Sequence, residues 1–132
     1  MKEFSQLSGP WSGFSIQEGR RIPEAIHLRI DERIVVGTGN DSDGLFELDG
    51  SYDPATGRVT MTRRYTATAD PLEDGVGIPY HYDGVWDGSF VSGTWHCRPA
   101  PEVSGSFEMW PDREEDRKEL MLDLRELSLN NG

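Results

Sequence analysis

Seven residues have the types and spacing from which a small-molecule site is made: Tyr52, Arg63, Tyr65, Tyr80, Tyr82, Trp86 and Trp95. Side chains alternate faces along a strand, so Arg63 shares a side with Tyr65, and Tyr80 and Tyr82 share one with Trp86. An apolar lining with a few polar tips is the make-up of pockets that hold organic ligands. Arg63 adds a condition. If it faces inward, its charge must be paired by an acid in the wall or by an anionic ligand. If the strand twists it to the rim, water meets the need.

Other chemistry finds little support. His27, His81 and His96 are scattered along the chain with a single cysteine, Cys97, so there is no zinc-ligand spacing. His96 and Cys97 are neighbours and point to opposite faces of a strand, which spoils a nucleophile and base pair. Asn40-Asp41-Ser42-Asp43-Gly44 has the alternating acids of a calcium loop, but Gly39 and Gly50 stand where the first acidic ligand and the bidentate glutamate belong. The stretch reads instead as a hairpin turn. With no phosphate loop, Gly-x-Ser-x-Gly elbow or HExxH, the expectation is a non-enzymatic protein with no catalytic residue, metal or cofactor.

The chain has 132 residues and a formal net charge of −11, which suits one domain. That charge repels phosphate backbones and anionic lipid, and no basic stripe offsets it, so neither nucleic acid nor membrane is an expected partner. Met1 to Gln6 lacks an apolar signal core, and no run approaches the roughly eighteen apolar residues of a membrane span. With a lone cysteine, the expectation is a soluble, cytoplasmic protein.

Eight alternating segments must position these residues. Residues 1–8 read as a loose lead-in. The strands then run roughly Trp11 to Gln17, Glu24 to Asp31, Arg33 to Gly39, Gly44 to Tyr52, Arg58 to Thr66, Tyr80 to Trp86, Ser89 to Arg98 and Val103 to Trp110. Phe46, Leu48 and Tyr52 face one way and Glu47, Asp49 and Ser51 the other. That is a sheet wet on one side. The longest irregular piece is 67–79. Short strands joined by short turns predict a mainly β fold, an eight-stranded antiparallel up-and-down barrel over 9–111. Asp112 with Glu115 forms a capping box, and Leu120, Met121, Leu124 and Leu127 make an apolar stripe, so a C-terminal α-helix is expected within 112–129.

Glycine recurs two residues before an aromatic: Gly9 and Trp11, Gly44 and Phe46, Gly50 and Tyr52, Gly84 and Trp86, Gly93 and Trp95, Gly105 and Phe107. Such glycines let strands bend and leave room for large rings. On Gly9-Pro10-Trp11, the eight-strand count, Gly84-Val85-Trp86 and Gly93-Thr94-Trp95, the chain resembles the calycin group, the avidin/streptavidin and lipocalin barrels. The resemblance implies that Trp11 lies across the closed end of the barrel, with Arg113 stacked on it as the matching cation. It also implies an interior with room for a ligand. No biotin-contact residue carries over, and the signal peptide and paired cysteines of secreted lipocalins are missing.

Two readings of function follow. One is a binding barrel that holds a small molecule or peptide inside or at its mouth. The other is a side-chain-filled barrel acting as an interaction module, able to form a homo-oligomer through its wall or the C-terminal helix.

Overall fold

The computed structural model of the chain describes residues 3–70 and 75–112. Eight antiparallel strands follow one another around a closed barrel: β1 (Gly9–Gln17), β2 (Arg20–Asp31), β3 (Ile34–Asp41), β4 (Gly44–Asp53), β5 (Arg58–Thr68), β6 (Tyr80–Trp86), β7 (Val91–Cys97) and β8 (Ser104–Pro111). Closure comes from β1, which pairs with β2 on one side and β8 on the other, so that neither is left as an open edge. Burial follows the period of two. In β2, Ile22, Glu24, Ile26, Leu28 and Ile30 are buried and their neighbours exposed. In β5, Val59, Met61 and Arg63 are buried.

Two-residue turns set the register at one end. Glu18 and Gly19 both adopt positive φ, 51° and 77°, as a tight hairpin between right-twisted strands requires. Between β3 and β4, Asp41 Oδ1 accepts the N–H groups of Asp43 and Gly44 at 2.8 and 3.2 Å. The Asn40-to-Gly44 stretch is therefore a hairpin. Inward glycines make space for rings: a Cβ on Gly39 would meet the Phe46 ring of the adjacent strand at 2.5 Å, and one on Gly84 the Phe107 ring of β8, two strands away, at 2.8 Å.

The other end is plugged. Residues before β1, expected to be a loose lead-in, form a 3-10 turn, Phe4–Gln6, whose Phe4 is fully buried. Its ring lies 4.6 Å from Tyr52 and 5.7 Å from both Trp11 and Trp86. Trp11 Nε1 donates to the Leu7 carbonyl at 2.8 Å, and Ile30 N–H donates to Ser8 Oγ at 2.8 Å. Apolar burial at Phe4 and Leu7 outweighs the absence of any periodicity that could have announced the turn.

The expected fold class needs one correction, at the C-terminus. The described residues contain no α-helix. Asp112, expected to cap one, extends the β1–β8 ladder: its N–H donates to the Pro10 carbonyl at 2.9 Å and its carboxylate accepts from Ser12 Oγ at 3.4 Å. The rest of the expected helix, and Arg113 with it, lies outside the described residues. Trp11 packs on Phe4 and Trp86. Strand ends also shift: β2 begins before Pro23, β3 runs on to Asp41, and β5 runs on to Thr68, two residues into the expected irregular segment.

Candidate functional site

Inside the barrel, toward the end opposite the plug, three charged side chains are buried together. Arg63 reaches from β5 across the interior, and its Nη1 donates to Glu24 Oε2 on β2 at 2.7 Å. Asp41 Oδ2 on β3 lies 3.7 Å from the same Nη1. Glu24 and Asp41 are register partners on adjacent strands. The three side chains are 2%, 0% and 3% exposed for Arg63, Glu24 and Asp41. Such burial is tolerable only because opposite charges are in contact.

Aromatic rings complete the enclosure. The Arg63 guanidinium sits 3.8 Å from the Phe46 ring centroid and 4.5 Å from that of Tyr82, a cation held between two π faces. Around the wall from β4 to β7, Phe46 contacts Tyr65 at 5.7 Å, Tyr65 contacts Tyr80 at 6.1 Å and Tyr80 contacts Trp95 at 6.1 Å. Tyr82 stacks on Trp95 at 6.3 Å. The acids occupy β2 and β3, so one wall is carboxylate and the other aromatic.

These surroundings set the protonation states. Burial would lower Arg63, but Tyr82 and Glu24 outweigh it and hold the guanidinium above its ordinary value. Burial raises Tyr65, and its 2.6 Å hydrogen bond to Asp41 Oδ2 adds to the rise. Tyr82 is pushed up to about 12, mainly by burial and against the pull of Arg63. The phenols therefore stay neutral donors.

Of the seven residues singled out by type and spacing, five meet here: Arg63, Tyr65, Tyr80, Tyr82 and Trp95. Tyr52 and Trp86 lie at the plugged end, against Phe4. Glu24 and Asp41 were not among the expected site residues. Glu24 shares the parity of Ile26, Leu28 and Ile30, a signal that reading Pro23 as the end of a turn conceals. Asp41 shares the parity of Val35, but its place in a turn-like acidic run hides it. Both are the wall acids that an inward Arg63 demands.

Elsewhere, His81 and His96 face each other on the outer surface with ring centroids 5.3 Å apart. Burial and the neighbouring His96 lower His81. Among the described residues no cluster of three or more His, Cys, Asp or Glu side chains is arranged to hold a metal ion. The outside of β2 to β5 carries two adjoining open grooves of about 480 and 570 Å³, both bordered by His27, Thr38 and Glu47.

Fold and site together define an eight-stranded, closed antiparallel barrel with a buried charge cluster facing one end. No protein-family model, curated protein or solved structure matches the chain.

Proposed function

We propose that this chain is a small-molecule-binding barrel in the manner of avidin or lipocalin folds. Its ligand sits between the carboxylate wall of β2 and β3 and the aromatic wall of β4 to β7. The supporting observation is a set of unmet polar atoms: Glu24 Oε1, Arg63 Nε and Trp95 Nε1 are buried and have no hydrogen-bond partner among the described residues. Each such group costs on the order of 1–3 kcal/mol if left unmet, and protein interiors seldom keep several together without a role. A ligand bearing donors and acceptors would satisfy them.

A thermal-shift screen of small molecules, followed by amide chemical-shift mapping of the hits, tests this reading. The expected result is hits that perturb Glu24, Arg63, Tyr80 and Trp95 together. Hits that map only to the outer wall would reject it.

The outer surface supports a second reading, an interaction module. Ile34 is 61% exposed and Leu45 55%, on the grooved side of the wall, and Phe90 is 39% exposed beside Trp110. Sedimentation at increasing concentration distinguishes it, since self-association through the wall raises the mass.

A further inference from the structure

The charge cluster is unbalanced. Two acidic side chains, Glu24 and Asp41, face one guanidinium, Arg63, a formal surplus of one acid inside the barrel. No other Lys, Arg or His among the described residues is buried. The surrounding tyrosines are held neutral.

The two acids are not equivalent. Asp41 is well served: Oδ1 accepts two backbone N–H groups of its turn, and Oδ2 accepts the Tyr65 hydroxyl at 2.6 Å. Among the described residues Glu24 receives a single hydrogen bond, from Arg63 to Oε2, and its Oε1 is buried with no partner. The missing interaction is thus at Glu24, and it calls for a donor. A donor that also carried positive charge would neutralise the surplus, and aromatic faces suit a cation as well. Arg63 Nε and Trp95 Nε1 are donors without acceptors, so the same molecule needs an acceptor too.

Resting on the far-end binding reading, we propose that the ligand is a small organic cation carrying a hydrogen-bond acceptor: its ammonium or amidinium group lies against Glu24 Oε1, and its acceptor faces Arg63 Nε or Trp95 Nε1. An anionic ligand is disfavoured, because Arg63 is already engaged by Glu24 and an added anion would raise the surplus negative charge.

Three probes that share a phenyl ring and a benzylic hydroxyl test the charge class: phenylethanolamine as the cation, phenylethylene glycol as the neutral form and mandelate as the anion. Calorimetric titration of the full chain should give affinity for the amine on the order of tenfold above the glycol, with mandelate weakest. Because the chain is acidic throughout, two charge-removing variants locate the effect. Glu24→Gln and Asp41→Asn should each reduce the preference for amine over glycol to about twofold or less, and either folded variant suffices. If neither folds, amide chemical-shift mapping of the amine on the wild-type chain locates it, and shifts confined to the outer wall overturn the assignment. Equal binding of amine and glycol, preference for mandelate, or a preference unchanged in a folded variant overturns the cation assignment and leaves the binding barrel standing. Binding of none of the three overturns the assignment, while the wider screen separately decides the barrel's capacity to bind.

Discussion

Arg63 Nη1 lies 2.7 Å from Glu24 Oε2, tying β5 to β2 through the barrel interior between residues 39 apart in sequence. For a pair so thoroughly removed from water, the cost of desolvation offsets much of the Coulombic attraction, so the net contribution to folding is modest. Breaking it is another matter, because the charge left behind has nowhere to go.

The asymmetry can be measured. Arg63→Met strands Glu24, whose hydrogen bond comes from Arg63, and should lower stability in urea unfolding by about 3–5 kcal/mol. Glu24→Leu combined with Arg63→Met removes the main pair and should cost clearly less than the two single changes added together. Additive losses would mean that the two side chains act independently.

The plug makes a second prediction. Phe4 touches Trp11, Tyr52 and Trp86 at once. Phe4→Ala and Trp11→Ala should each cost about 3–5 kcal/mol, the range for truncating a large buried ring. Phe4→Ala should also shift tryptophan emission to the red as water reaches Trp11 and Trp86. A loss below about 1 kcal/mol in either variant, on that same scale, would place the lead-in or the first strand outside the core.

Much of this fold can be read from alternation, and the reasons it stops are local. Phe46, Leu48 and Tyr52 declare a buried face in β4, while β3 is legible as a β-branched run and β7 from the turns that bound it. Phe4 was hidden because a single turn has no period to detect. Glu24 and Asp41 were hidden because an acid on the apolar face of a strand resembles a strand end, and only an inward Arg63 turns it into a requirement. The capping pattern from Asp112 onward suggested a helix start, whereas Asp112 itself stays on the β1–β8 ladder, where the Pro10 carbonyl accepts its N–H.

Glycine spacing leads to a third prediction. A methyl group on Gly84 would meet the Phe107 ring at 2.8 Å and the Ser92 carbonyl at 2.9 Å. Gly84→Ala should therefore destabilise by about 1–3 kcal/mol, the cost of overpacking. Shortening the opposing ring with Phe107→Leu should make the alanine less harmful than it is in the wild-type background. Equal harm in both backgrounds would assign the cost to the backbone contact alone.

Alkaline titration provides a fourth. All four tyrosines, Tyr52, Tyr65, Tyr80 and Tyr82, are raised above their ordinary value of 10.0, burial being the largest cause for each. A raised phenol makes its full contribution below the unfolded value, and the contribution is lost as pH climbs toward the folded one, because the unfolded chain gives up protons first. Stability should fall as pH rises above about 10, and phenolate absorbance should appear together with the loss of tertiary circular dichroism. Phenolate forming in the intact fold near pH 10 would mean that the rings are open to water.

The binding proposal assigns the polar atoms left unmet at Glu24, Arg63 and Trp95 to a ligand. Native mass spectrometry of the chain purified from its own host tests it most directly. The expected spectrum holds a population heavier than the polypeptide by the mass of one small molecule, lost on denaturation and reduced in Glu24→Gln. A bare polypeptide mass throughout, from material shown to be folded, would contradict it.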